Sequence, residues 1–412
     1  MKPLQDRVAA LRPNPGMAAG VSAAPFAAAI AIALLMEHAI GPAVGLTWTK
    51  ILLDVGIAIV LAGSLNVVNG YAGQFSLGQA GFMLVGGYAA AWLTFYGQIH
   101  FYDVCPNAVE IDIGDGKMCD PSTVEITKTA ITCQLVECFS GKGSMGGFLG
   151  NGQLLFLAGC ILGGIVAALF GLLVGLPSLR LRGDYLAIVT LGFGEIVRVL
   201  GQITALQPKD VGEIQNESMV GLMNNLGGSE GFSQIPDYTS AGTKGAMFWV
   251  FLFALVLLIL TFRLKYSSKG RALLAVRENE IAAEAMGVDT TRAKVVAFVF
   301  SAFFAGIGGA LYAHQINAID PKELGFQKSI DLVIIVVIGG MGSITGIVLG
   351  ASILVILPEL FREFSEYRMI VYALALIVVM IARPQGIMGI QELWELPAWR
   401  KLTAKFTSRK KS

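Results

Sequence analysis

Residues 245–262 read GAMFWVFLFALVLLILTF and contain no charged side chain. A bilayer hydrocarbon core of about 30 Å is crossed by about 20 apolar residues in a helix, so this stretch predicts a transmembrane helix. Similar stretches recur along nearly the whole chain, which is 55% hydrophobic and only 14% charged. That composition excludes an ordinary soluble protein, and a net charge of +1 argues against a nucleic-acid partner. We predict an all-α polytopic membrane protein.

The apolar stretches predict about ten transmembrane helices. Between the eighth and ninth of them, the glycines around Met341 leave three interpretations open. They would fit a tight turn between two spans, a kink in one span or a re-entrant break. The spans are expected near 23–46, 50–69, 75–97, 152–176, 184–203, 245–262, 294–316, 329–340, 342–358 and 368–383.

Basic residues indicate the orientation, because cytoplasmic loops of membrane proteins are enriched in Lys and Arg. They cluster before the first span, at Arg180 and Arg182, from Arg263 to Lys294, and in the tail from Arg400 to Lys411. Both termini are therefore expected in the cytoplasm of a bacterium, in a multi-pass protein of its inner membrane. The domain prediction is a cytoplasmic segment 1–22, a transmembrane domain 23–390 with periplasmic loops 98–150 and 204–243 and a cytoplasmic loop 263–293, and a basic cytoplasmic tail 391–412.

The predicted periplasmic insert 98–150 contains four of the five cysteines. Cysteines in an exported loop predict disulfides, and four of them allow three pairings. Free thiols or a zinc site are the alternatives, although the insert has no CxxC pair. The disulfide candidates are Cys105, Cys119, Cys133 and Cys138.

The stretch Gly70–Gly87, GYAGQFSLGQAGFMLVGG, is too rich in glycine and too polar for an ordinary span. Each glycine weakens a helix by about 1 kcal/mol relative to alanine, and broken helices in membranes face protein or a water-filled cavity. We expect a discontinuous helix that lines a translocation pathway through Gln74, Ser76 and Gln79. Close helix packing through glycine is the alternative.

Glu195 and Arg198 stand three residues apart in the fifth predicted span, so they share a helical face and can form an ion pair. An unpaired charge at the centre of a bilayer costs at least about 2.5–3.5 kcal/mol, which favours a pair or a wet cavity. They are further pathway candidates, with a purely structural ion pair as the alternative. Asp54 and Asp331 stand singly in other spans, and with three histidines in the chain we predict no metal site.

The segment 270–294 combines apolar residues at helical spacing with charged residues on its other faces. It predicts a cytoplasmic amphipathic helix, which could also lie on the membrane interface. No phosphate-binding P-loop sequence occurs, so an ATP-driven role would require a separate ATPase.

Three stretches are similar to the LivM-type permease family of branched-chain amino-acid ABC importers. They are GYAGQFSLGQAGFMLVGG at Gly70–Gly87, LRGDYLAIVTLGFGEIVRV at Leu181–Val199, and GRALLAVRENEIAAEAMGVDTTRAKVVAFVFSAFFAGIGGAL at Gly270–Leu311. The resemblance implies that the cytoplasmic segment carries a coupling helix that docks on an ATPase. The coupling residues would be Arg277, Glu280, Ala282, Ala283, Glu284 and Gly287, although Ile281 stands where the common coupling motif has Glu.

The resemblance also implies a transport subunit for Leu, Ile or Val that is not an enzyme and binds no cofactor, ATP being used by its partner. The implied partners are a second related permease, two cytoplasmic ATPases, a periplasmic amino-acid-binding protein and membrane lipid. An ABC permease for urea, short amides or other amino acids is an alternative, and an ion-coupled secondary transporter is another.

Overall fold

In a computed structural model of the chain, the described residues are 15–102, 151–178, 184–208, 214, 217–239, 243, 245–361, 373–374, 377, 381–383, 385–389 and 392. Cys105, Cys119, Cys133 and Cys138 lie outside these residues, so their disulfides stay a prediction. The same holds for most of the tenth predicted span and for the tail beyond residue 392.

The described chain is almost entirely helical, with a single isolated β-bridge between Phe232 and Ile319. Five segments are long and apolar enough to cross a membrane, namely Leu46–Tyr71, Gly152–Leu176, Tyr185–Gln202, Ala246–Tyr266 and Thr290–Ile316, which confirms the all-α membrane class. The helices are α1 (Pro15–Leu35), α2 (Leu46–Asn66), α3 (Gln79–Tyr102), α4 (Asn151–Ser178), α5 (Asp184–Gln202), α6 (Ala246–Tyr266), α7 (Ser268–Glu278), α8 (Glu280–Ala285), α9 (Thr290–Ile316), α10 (Phe326–Gly339) and α11 (Ile344–Leu360).

Helices α3, α4 and α9 form the centre of the bundle, where three glycines let their backbones touch. A Cβ atom added to Gly86 of α3 would lie 2.2 Å from the Cα of Gly306 in α9. A Cβ on Gly163 of α4 would lie 2.4 Å from the carbonyl oxygen of Gly86. Small residues allow such close approach, which is a main source of helix association in lipid. We call Gly86, Gly163 and Gly306 the glycine contact.

The segment near 329–358 forms two helices, α10 and α11, joined by a turn at residues 340–343. Gly340 and Gly342 adopt φ angles of 110° and 94°, which favour glycine, and this turn excludes a single kinked span. A helix of 14 residues is about 21 Å long, so α10 is shorter than a hydrocarbon core of about 30 Å.

The predicted first span consists of α1 and a π-helical segment at Met36–Ile40, which ends in a final turn at Gly41–Ala43. Glu37 in this segment accepts hydrogen bonds from the backbone N–H groups of Gly245 and Phe248 at 2.6 and 3.3 Å. An acidic side chain at a helix N-terminus satisfies free N–H groups and complements the helix dipole. Glu37 thus caps α6.

Candidate functional site

The Gly-rich stretch is broken. Helix α2 passes into a π-helical turn at Val67–Tyr71, and residues 72–78 are irregular before α3 begins at Gln79. We call residues 72–78 the break. Its location agrees with the discontinuity expected from the glycines, although the helix after it starts four residues later than the predicted span at 75.

Side chains of the π-helical turn, of α5 and of α10 accept hydrogen bonds from backbone N–H groups of the break and of the first turn of α3. Thr190 of α5 accepts a hydrogen bond from the Leu77 N–H at 3.0 Å, and Asn69 accepts one from the Ser76 N–H at 3.1 Å. Ser329 of α10 accepts one from the Ala80 N–H at 3.1 Å. Irregular backbone inside a membrane requires such partners, because lipid offers none. The break is therefore held between α2, α5 and α10.

Gln79, the first residue after the break, lies in a buried polar cluster. Its Nε2 donates to Ser64 Oγ of α2 at 2.7 Å, and its Oε1 accepts from Ser301 Oγ of α9 at 3.3 Å. Gln74 differs, because its buried Oε1 has no hydrogen-bond partner within the described ranges. Ser76 is also buried. Among the three predicted pathway residues of the stretch, Gln74 has spare hydrogen-bonding capacity and Gln79 joins helices.

Glu195 and Arg198 form an ion pair, with Arg198 Nε 2.7 Å from Glu195 Oε2. Glu195 Oε1 also accepts a hydrogen bond from the Phe326 N–H at the start of α10. The two side chains are 36% and 29% exposed, so neither is an isolated buried charge. The pair connects α5 to α10, which favours the structural alternative.

The segment 268–285, predicted to be cytoplasmic, contains two helices where the sequence predicted one. Asn279 is extended, with φ −160° and ψ 110°, and its side chain accepts the Ala282 N–H, so α7 ends and α8 begins there. This kink turns Ala283 inward, where it is 5% exposed, while Ile281 and Met286 are 66% and 85% exposed. Ala282, Glu284 and Gly287 are exposed as well. Of the two adjacent alanines, only Ala282 is therefore accessible to a partner.

Arg277 and Glu280, which were predicted to couple to the ATPase, make contacts within this chain. Arg277 Nη1 donates to the Gly70 carbonyl oxygen at 2.7 Å, and a Cβ on Gly73 would lie 2.7 Å from Arg277 Cγ. Glu280 pairs with Lys294 at the start of α9. Arg277 thus connects α7 directly to the break, over more than 200 positions of sequence.

Lys265 and Glu392 form a buried ion pair that the sequence analysis missed. Glu392 is fully buried and accepts the backbone N–H groups of Ile344 and Thr345, both at 3.1 Å, so it caps α11. Lys265 also donates to the Gly342 carbonyl oxygen at 3.0 Å. Burial alone would raise the pKa of Glu392, but the hydrogen bonds from Lys265, Ile344 and Thr345 hold that pKa below its ordinary value. Glu392 follows the last apolar stretch in the sequence, and its position there does not indicate that its side chain is buried in the helix bundle.

Comparison with known proteins identifies the family. The family model described as "Branched-chain amino acid transport system / permease component" matches residues 47–380. The "High-affinity branched-chain amino acid transport system permease protein LivM" of Salmonella typhimurium is 34% identical over 344 residues, which are 81% of this chain and 68% of that protein. Its counterpart in Escherichia coli has the same identity and coverage.

More distant relatives include the "Probable branched-chain amino acid transport permease protein LivM" of Methanocaldococcus jannaschii, which is 25% identical over 86% of this chain and 96% of its own length. The LivH permease of Salmonella typhimurium is 34% identical over a shorter stretch, 41% of this chain and 53% of that protein. No solved structure matches. The family model covers most of the chain and the LivM proteins match 81% of it, so the chain belongs to the branched-chain amino acid transport permeases, a family of membrane transport subunits and not of enzymes.

Proposed function

We propose that this chain is a transmembrane subunit of an ATP-driven importer for Leu, Ile and Val. The observation that carries the proposal is the family match over residues 47–380, which includes the break and both cytoplasmic helices. Relatives named LivM and LivH are both permeases of branched-chain amino acid transport systems. The importer would therefore pair this chain with a second permease, two cytoplasmic ATPases and a periplasmic binding protein. ATP is used by the ATPases, and this chain binds no cofactor.

The proposed topology has about ten spans, with both termini and α7–α8 in the cytoplasm. It follows the clusters of Lys and Arg before the first span, at Arg180 and Arg182, in segment 263–294 and in the tail 400–411. The ends of the helices are consistent with this assignment. The C-terminus of α2, the turn at 340–343 and α7 meet through Asn66, Gly342 and Arg277, so all three lie at one end of the bundle.

In the proposed mechanism, the exposed surface of α8 binds the ATPase. Ile281, Ala282 and Met286 supply apolar area there, and Glu284 and Gly287 lie at its edge. Exposed apolar patches rimmed by polar residues are typical of protein interaction sites. Movement of α8 is transmitted through α7 to Arg277, which holds the Gly70 carbonyl just before the break. Gln74 and Ser76 then contact the substrate as the break shifts, and Glu195 and Arg198 keep α5 attached to α10.

Co-expression with the partner subunits tests this proposal. Proteoliposomes should take up labelled leucine only when ATP and the binding protein are present. Replacing Met286 by Glu should abolish uptake and ATPase copurification without lowering the amount of permease in the membrane. Met223→Glu is the matched control, because Met223 is also exposed, at 57%, and lies in the predicted periplasmic loop.

The outcomes separate the alternatives. Uptake driven by an ion gradient without ATP would indicate a secondary transporter, and uptake of urea without leucine would indicate another substrate. Normal ATPase copurification with Met286→Glu would refute the role assigned to α8.

A further inference from the structure

A cavity of about 530 Å³ lies between α2, α9, α10 and α11. Its residues come from the middle of α2, the last turns of α9, the first three turns of α10 and the last turns of α11. Asp54, Gln315 and Lys328 lie toward the end of the bundle opposite the turn at 340–343, and Leu61 and Ile335 extend the cavity toward that turn. One wall is aliphatic and consists of Ile57, Leu61, Leu332, Ile335, Leu354 and Val355.

Charged side chains form the other part of this cavity, namely Asp54, Lys328 and Asp331. No ion pair involving any of these three exists within the part of the chain that the structure describes. The Lys328 Nζ lies 5.1 Å from the centre of the Tyr312 ring, which also lines the cavity. Charges at membrane depth are costly unless they are paired or hydrated, so unpaired charges of both signs around one cavity point to a function.

Gln315 gives independent support for a ligand. Its side chain lines the cavity, is 7% exposed, and donates from Nε2 to Asp54 Oδ1 at 2.7 Å. Its buried Oε1 has no partner among the described residues. Buried polar atoms are nearly always hydrogen-bonded, so a free acceptor at a cavity indicates that a donor arrives with the ligand.

We propose that this cavity is the membrane-embedded binding site for the transported amino acid, an assignment that rests on the proposed function. The ammonium group binds between Asp54 and Asp331 and donates to Gln315 Oε1. The carboxylate binds Lys328, and the branched side chain packs on the aliphatic wall. A ligand with a donor cation, an acceptor anion and an apolar chain satisfies every one of these groups at once, and the volume lies within the range of about 300–1,000 Å³ of small-molecule sites.

The buried polar cluster around Gln79 adjoins this cavity. Leu61 lines the cavity, and its carbonyl oxygen accepts a hydrogen bond from Gln79 Nε2 at 3.4 Å. Ser329, the residue after Lys328, binds the start of α3 through the Ala80 N–H. In the proposed arrangement the cluster around Gln79 stands between the binding site and the break, so the substrate meets Gln74 and Ser76 after this cluster opens.

Thermal unfolding of the purified permease–ATPase complex, without the binding protein, tests the assignment. Leucine should raise the unfolding midpoint, because a ligand that binds only the folded state stabilises it. Two analogues at the same concentrations should not, namely 4-methylpentanoate, which lacks the ammonium group, and 3-methylbutylamine, which lacks the carboxylate. Lys328→Gln should raise the half-saturating leucine concentration about tenfold or more, since a hydrogen bond to a charged group contributes about 1.5–3 kcal/mol.

Lys322→Gln is the matched control, because Lys322 is exposed in the loop just before α10. It should leave the leucine response unchanged, and Lys328→Arg should retain most of it. Asp331→Asn provides a second arm that preserves side-chain shape and should also weaken the response. An unchanged half-saturating concentration in both Lys328→Gln and Asp331→Asn would overturn the site, as would equal stabilisation of the wild-type complex by all three compounds.

The same preparation separates this inference from the proposed function. ATP-dependent leucine uptake with the binding protein, combined with no leucine stabilisation of the complex, overturns the cavity assignment alone. Leucine stabilisation that depends on Lys328, combined with no uptake of any branched-chain amino acid, supports the site and overturns the proposed function.

Discussion

Replacing Gly86 by alanine should destabilise the centre of the helix bundle. The added Cβ would lie 2.2 Å from the Gly306 Cα, whereas ordinary van der Waals contact begins at 3.4 Å. Helices α3 and α9 would therefore have to separate by about 1.2 Å, and no side-chain rotamer can relieve a contact with backbone. Overpacking costs about 1–3 kcal/mol of unfolding free energy. We take the upper end of this range, because α4 also packs against the backbone of Gly86 through Gly163.

The better helix propensity of alanine offsets about 1 kcal/mol, which leaves a net loss of about 2 kcal/mol. With an unfolding entropy of about 2.1 cal/mol/K per residue, that loss corresponds to a decrease of about 2 °C in the unfolding midpoint. The assay is thermal unfolding of the detergent-solubilised protein, followed by the loss of its monodisperse peak in size-exclusion chromatography. Gly192→Ala is the matched control, because Gly192 is also helical and a Cβ there meets nothing within 4 Å. Equal midpoints for the two variants would refute the close backbone contact.

Three further predictions concern the charged groups. Arg277→Met should reduce leucine uptake at least about tenfold, because a charged hydrogen bond of about 1.5–3 kcal/mol to the Gly70 carbonyl is lost. ATPase copurification should persist, and equal loss of uptake in Arg271→Met, which removes an exposed guanidinium, would contradict the assignment. Glu195→Leu and Arg198→Leu should each lower the amount of permease in the membrane more than the double change does. Because both side chains are about one-third exposed, the coupling energy between them should be about 1 kcal/mol or less. Strict additivity of the two single effects would exclude this coupling. Because the folded-state pKa of Glu392 lies below its ordinary value of 4.5, its stabilising contribution is complete above that pH and is lost as the pH falls through the lower folded-state pKa. The unfolding midpoint of the wild type should thus decrease more steeply on acidification than that of Glu392→Gln, and parallel curves would contradict this.

Local features of the structure were predictable from the sequence. The density of glycine at 70–87 indicated a discontinuity, and the break lies inside that stretch at residues 72–78. The spacing of Glu195 and Arg198 indicated an ion pair, because residues three apart in a helix share a face. In both cases the relevant information lies within one or two turns of helix.

Contacts between distant segments were not predictable in this way. Arg277 has the spacing of an exposed charge on an amphipathic helix, and only the fold brings it to Gly70. Ala283 faces inward because Asn279 interrupts the helical phase, and Asn is compatible with a helix interior as well as with a cap. Asp54 and Asp331 look isolated in sequence, and they share a cavity because α2 and α10 pack side by side.

The cap on α11 has a consequence for how the protein is made. Ile344 and Thr345 emerge from the ribosome well before Glu392, whose carboxylate accepts the hydrogen bonds of their backbone N–H groups. Until then the Ile344 and Thr345 N–H groups lack this acceptor and Lys265 lacks its carboxylate partner, so this end of the molecule assembles only after Glu392 has been synthesised. Chains that stop before Glu392 would keep only the Ser343 cap on α11 and would leave Lys265 without a carboxylate, so we expect proteases to degrade them faster than the full chain.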